Sequence, residues 1–395
     1  MTNARVVRNA EIPDALRIAR AKASPNLGPR LLFFSGGSAL NSVSRRLKEY
    51  THNSAHLITP FDSGGSSAVL RDAFGMPAVG DVRSRLMALA DETELGQPDI
   101  YALFTHRLPK DAPKKELIAE FRSIIDGTHP LMRSVSQPMR SLILTQLRSF
   151  ADRMPGDLDL RGASIGNLIL AGGYFANDQA LEPVLFLMSK MVAVLGTVRA
   201  VVDMNLHIGA ELEDGSIVIG QRHLTGKEVA PIHSPVRRLF LSDGTREIPA
   251  EGVRLPKRNR RLIERADLIC YPPGSLYSSV IANLLPLRVG STIASRAVPK
   301  VYVPSLGHDP ECLDMSLADQ VEALLQALKS DLKTTQPNNE LVNLVLCDRN
   351  VVSKAAVTEV RNRHGIASAH VDLIHPDRPE KYDPERLCDA LVSLS

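Results

Sequence analysis

Three short segments hold the residue types that bind or transfer phosphate: Gly36-Gly37-Ser38, Asp62-Ser63-Gly64-Gly65-Ser66-Ser67 with Arg71 and Asp72 shortly after, and Pro273-Gly274-Ser275. In the first, two residues without side chains let backbone amides at a helix start face an anion. The spelling is neither a Walker A loop nor GxGxxG, so a plain tight turn accounts for it equally well. The second adds hydroxyls, a carboxylate and a guanidinium. Phosphate wants donors and a cation, while a magnesium ion or an attacking alcohol wants the carboxylate, so Asp62 is the candidate catalytic and metal-binding residue. A capped helix start, with Ser66 or Ser67 as N-cap and Asp62 closing an Asx turn, explains the same residues equally. The third again brings small residues to a helix start, with Tyr277, Ser278 and Ser279 nearby.

The elements that must position these loops share one pattern. Arg30 to Ser35, His56 to Thr59 and Leu268 to Tyr271 are apolar, strand-like runs, and each ends in a glycine-bearing loop that opens into a helix-compatible segment. Repeated strand–loop–helix units predict a Rossmann-like, doubly wound α/β fold with a mostly parallel sheet and one cleft at a topological switch point. Asp81 to about Phe150 carries helical periodicity and reads as a helical insertion. Further helices are expected over Ile165 to Ala176 and Glu182 to Leu195. Val198 to Val202, Leu206 to Leu212 and Ile217 to Ile219 are strand-like, the last two joined through Glu213-Asp214-Gly215 as a small β-hairpin extension. Lys300 to Val303, Leu341 to Leu346, Ala367 to Leu373 and the helical Pro384 to Val392 follow. The expected organisation is an N-terminal extension (1–29), an α/β domain (30–330) and a C-terminal α/β extension (331–395) packed on it.

Other features narrow the partners. The 47 basic and 44 acidic residues give a net charge of +3, too balanced for wholesale binding to nucleic acid or anionic lipid. Tryptophan is absent and aromatics are 4%, which removes the usual base-stacking platforms. No run reaches the roughly 20 apolar residues of a membrane span, and Met1 to Ala23 lacks the apolar core of a secretory signal. Cys270, Cys312, Cys347 and Cys388 form no CxxC or Cys/His pairing, which points to a reducing cytoplasm rather than a zinc site or a disulfide framework. Cys270 reads as buried packing, the histidines as satisfied residues, and the basic run Lys257 to Arg265 as a solvated helix face. Self-association into a homo-oligomer is compatible with all of this.

The motifs resemble a known family. Asp62 to Ser67, continuing through Leu70-Arg71, Phe74-Gly75-Met76, Gly80-Asp81-Val82-Arg83 and Leu89-Ala90-Asp91, is similar to the D-D-G-G-S-S…L-R…G-D-I-R…A-L-A-D block of the 2-phospho-L-lactate transferase (CofD-like) family. Ser164 to Leu168 resembles its F-G-N-L segment, His207 to Gly220 its acidic hairpin, and Pro273 to Leu285 its P-G-S-L-Y-T-S-I-x-x-N-L-L element. The resemblance covers Arg30 to Leu306 in family order. It implies a nucleotide-linked small molecule as ligand, held by the three loops together with Arg83 and Asn167. One branch of the family transfers a phospholactyl group from a GDP-linked donor to a deazaflavin alcohol with Mg2+. The other, gluconeogenesis-factor-like (YvcK-like), binds nucleotide sugars such as a UDP-sugar and regulates metabolism or the cell envelope. The spellings here lie nearer the second branch. The family's adjacent acidic pair is Asp62-Ser63 in this chain, its G-G-T-G is Gly36-Gly37-Ser38-Ala39, and Pro272 stands where a glycine precedes P-G-S. Two expectations therefore compete: transfer of a phosphate-bearing group to an alcohol, or ligand sensing without turnover.

Overall fold

Leu31-Leu32-Phe33-Phe34-Ser35 is buried on both faces, as a strand in the middle of a parallel sheet covered by helices must be. In the computed structural model, which describes residues 9–226 and 229–395, this strand lies in the interior of a seven-stranded sheet, next to its central strand. Residues 1–8 of the N-terminal extension lie outside the described residues. The strands are β1 (Leu31–Ser35), β2 (Ala55–Ile58), β3 (Thr197–Ala200), β4 (His207–Leu212), β5 (Ile217–Ile219), β6 (Val236–Ser242), β7 (Leu268–Tyr271), β8 (Lys300–Tyr302), β9 (Leu344–Asp348), β10 (Ala367–Val371), β11 (Ile374–His375) and β12 (Arg378–Tyr382).

The large sheet runs β10-β9-β8-β7-β1-β2-β3, and every neighbouring pair is parallel. The chain winds outward from β1 to β3 in one direction and from β7 to β10 in the other. The reversal falls between β1 and β7, and the crevice outside their carboxyl ends is where such a sheet leaves room for a ligand.

Alternation of side chains along β1 feeds two cores. Leu32 and Phe34 join Tyr271, Tyr277 and the apolar face of the Leu317–Lys329 helix on one side. Leu31 and Phe33 meet Leu40, Val43, Leu47 and the Pro384–Leu394 helix on the other. Between β2 and β3 the chain inserts eight helices spanning Gly65 to Met191, which pack around a third core containing Phe104, Phe121 and Phe150. The hairpin of β4 and β5 forms as expected, and β6 extends it into a three-stranded antiparallel sheet, β5-β4-β6. Residues beyond 331 supply β9 and β10 to the main sheet, through the β8–β9 pairing. No helix among the described residues is long and apolar enough to cross a membrane.

Candidate functional site

Loops that leave β1, β2 and β7 converge on a cleft of about 300 Å³ lined by Gly37, Ser38, Ala39, Asp62, Gly64, Asp81, Gln221, Arg222, Thr225, Ser275 and Ser279. Its floor is set by close approach. A Cβ at Gly36 would sit 2.6 Å from Ser279 Oγ and 3.2 Å from Thr59 Oγ1, so only glycine lets β1 end beside the segment after β7. A Cβ at Gly37 would sit 3.0 Å from Asp81 Oδ1, which places that carboxylate against the first loop.

The second loop is built as an Asx turn. Asp62 Oδ1 accepts from the Gly64 amide at 3.0 Å, and Gly64 rather than Ser66 or Ser67 is the N-cap of the Gly65–Phe74 helix. Gly65 has φ +50°, the left-handed region that favours glycine. The serines serve as ties instead. Ser67 Oγ accepts from the Gly80 amide at 3.1 Å, Ser66 Oγ accepts from Asn167 Nδ2 at 2.9 Å, and Ser63 Oγ accepts from the Arg222 amide at 2.9 Å. The last of these closes the far wall of the cleft with the Gln221–Thr225 helix. Gly65 and Ser66 face an adjoining cavity of about 400 Å³ that also includes Arg107, Lys110 and Arg161.

Arg71 does not point into the cleft. Its guanidinium is buried beneath the loop, donating to the carbonyls of Phe61, Asp62 and Leu206 and to Asn205 Oδ1, so it holds the loop's shape. Arg83 is also buried and donates from Nε to Asn167 Oδ1 at 2.9 Å, forming a relay to Ser66. Burial first, then repulsion from Arg107, pulls its pKa down to about 10. Sequence reasoning missed Arg85, which is fully buried behind the first loop and donates to Gly36 O, Gly37 O and Ser44 Oγ. Burial pulls it down to about 9, against the attraction of Asp81. Burial lowers the pKa of Arg71 too, so three buried positive charges stand behind a cleft lined by Asp62 and Asp81.

The third loop departs from expectation. Ser275 lines the cleft, whereas Gly274, with φ +151°, lines a separate cavity of about 200 Å³ with Ser305, His308 and Asp309, and the amides of the short helical turn after them are already taken. Leu276 N donates to Asp309 Oδ2, and the amides of Tyr277 and Ser278 donate to Glu311 Oε2. Two carboxylates of the chain itself occupy the place an anion would take. Cys270 is buried with its thiol pushed up by burial alone, which fits packing. The Lys257–Arg265 helix spends Arg258 on Glu182 and Arg260 on Glu264, while buried Asn259 ties it to the end of β3.

The family model for 2-phospho-L-lactate transferase CofD matches residues 31–383, well beyond the segment in which its motifs stand out by eye. The chain is 29% identical over 299 residues to a gluconeogenesis factor of Bacillus subtilis, covering 75% of this chain and 74% of that protein. It is 26% identical over 377 residues to a gluconeogenesis factor of Listeria monocytogenes, covering 93% and 95%. Its fold is similar to the crystal structure of a member of the UPF0052 family from Bacillus halodurans, with a TM-score of 0.65, 21% identity, and coverage of 92% of this chain and 99% of that one.

Proposed function

Since the chain belongs to the CofD family, we propose that its switch-point cleft binds a nucleotide-linked ligand through the ligand's diphosphate. The observation that carries this reading is the charge behind the loops. Arg71, Arg83 and Arg85 are buried behind the loops and burial is the largest cause lowering the pKa of each, so a polyanion in the cleft would offset the cost of burying their charge. Four free cysteines, three of them buried, support a cytoplasmic setting.

Magnesium fits the residues present. Asp62 and Asp81 both line the cleft, and two carboxylates plus ligand phosphates are the usual way a protein holds this ion. Asp81 thus takes up the carboxylate function that Ser63 lacks. The ion, when bound, would neutralise charge on the diphosphate. In a transferase the acceptor's hydroxyl oxygen attacks the phosphorus of the group to be moved, and the bond from that phosphorus to the nucleotide's bridging oxygen breaks. The nucleotide leaves as an anion, and Asp62 takes the hydroxyl proton.

A second reading, a nucleotide-sugar sensor without turnover, draws support from Ser63. Its hydroxyl is spent on the Arg222 amide, a wall contact rather than a reacting group. One experiment separates the two. Melting temperatures measured with nucleoside diphosphates and nucleotide sugars, with and without magnesium, identify the ligand, because binding to the folded state raises the melting point. Turnover of that ligand with an alcohol acceptor is then compared between wild type and Asp62→Asn. The transferase reading expects a fall of about 10²-fold with little change in affinity. No stabilisation by any of these ligands would remove both readings.

A further inference from the structure

In the helical insertion, away from the cleft, two histidines and a glutamate come together from three separate segments. His106 caps the carboxyl end of the Pro98–Thr105 helix, Glu120 lies within the Lys114–Ile125 helix, and His129 is the N-cap of the Pro130–Ser134 helix. His106 Nε2 lies 2.7 Å from Glu120 Oε1, and the two imidazole rings stand 5.7 Å apart at a 39° tilt. One ligand atom from each residue lies within 4.8 Å of the others, and all three are partly buried. We propose that His106, Glu120 and His129 form a site for a divalent transition-metal ion of the zinc class, clamping three helix segments of the insertion.

The ligand chemistry selects the ion. Two imidazoles and one carboxylate suit zinc, cobalt or nickel, whereas magnesium and calcium prefer oxygen alone. Bonds of about 2.0 Å place ligand atoms of a tetrahedral zinc roughly 3.3 Å apart, so the three groups close by about 1.5 Å on loading. Side-chain rotation can supply that, since His106 and Glu120 retain 27% and 25% exposure. Loading costs His129 its 3.2 Å bond from the Leu131 amide, as an imidazole that gives one nitrogen to a metal carries its proton on the other. Three protein ligands leave a fourth position for water. Arg107 follows His106 directly and lines the cavity beside the cleft, so a loaded clamp stiffens that wall.

The test uses untagged, metal-stripped full-length chain. Titration with cobalt(II), followed by its visible absorption, and with zinc by calorimetry should show one site of tetrahedral character. His129→Asn keeps an N-cap side chain, and Glu120→Gln keeps shape. Each should weaken zinc binding at least about 10-fold, while His52→Asn on a remote loop changes nothing. Equal affinity in wild type, His129→Asn and Glu120→Gln, or no stoichiometric binding by wild type, overturns the proposal. Circular dichroism confirms that each variant is folded.

Discussion

Replacing Gly36 by alanine tests whether the β1 and β7 loops form one interlocked floor. The backbone there needs no left-handed conformation, so the glycine is present for space alone. The new methyl would meet Ser279 Oγ at 2.6 Å and Ser279 Cβ at 3.0 Å. Neither side yields easily. Arg85 Nη2 holds Gly36 O at 3.3 Å, and Ser279 is pinned by its amide to Ser275 O at 3.1 Å and by Asn283 Nδ2 on its carbonyl at 2.7 Å. Overpacking of a buried contact costs about 1–3 kcal/mol. Ser279→Gly alone should cost about 0.5–1 kcal/mol, because it removes a side chain from a helical turn. The double variant should recover about 1–2 kcal/mol of the sum, the coupling expected of residues in contact. Urea unfolding at constant m-value measures all four corners. The ligand-induced shift in melting temperature should vanish in Gly36→Ala and return in the double variant. Strictly additive free energies would refute the interlock.

Other expectations follow from the same geometry. Arg83→Met should lower diphosphate affinity about 10-fold with a stability change under about 1 kcal/mol, since relief of repulsion from Arg107 offsets the lost bond to Asn167; unchanged affinity by calorimetry would show that Arg83 acts on the fold alone. Ser63→Ala should cost about 0.5–1.5 kcal/mol and weaken ligand binding a few-fold by freeing the Arg222 wall; denaturation and titration with wild-type values would dismiss that tie. Burial and the Asp309 carboxylate push Glu311 up to about 7, against three donors that favour its ionised form. Its folded pKa therefore exceeds its unfolded value, and its contribution is complete below about pH 4.5 and is lost as pH rises through 7. Wild type should lose about 1–3 kcal/mol over that window relative to Glu311→Gln, and parallel stability–pH curves for the two proteins would refute it.

Strand and loop positions were legible because the apolar runs of β1, β2 and β7 are bounded by glycine, and period and punctuation agree. The direction of a side chain was not. Arg71 has the right type and spacing for a ligand cation, yet it folds back under its own loop to satisfy carbonyls that would otherwise be buried without partners. Arg85 escaped notice for the converse reason: in a helix of mixed polarity it reads as surface, and only the three-dimensional closure of the first loop gives it Gly36 O and Gly37 O. The carboxylates that cap the third loop lie 33 and 34 residues downstream, beyond the reach of any local pattern. The β12 strand, Arg-Pro-Glu-Lys-Tyr, carries no alternation and includes a proline, so pairing with β11 could not be inferred from it.

The reversal of strand order between β1 and β7 also dictates when the cleft can exist during synthesis. β2 can join β1 early, but β7 arrives much later: the Arg30–Asp267 pair at the start of this junction spans 237 residues. Closing so long a loop is slow relative to local helix formation, and domains assemble as the chain emerges from its amino end. Until β7 docks, the apolar edge of β1 stands open to pairing with any strand nearby, the usual route to misassembly. The first glycine loop is thus among the earliest segments to emerge and among the last to acquire its partner, and the cleft is closed only after about two-thirds of the chain has been made.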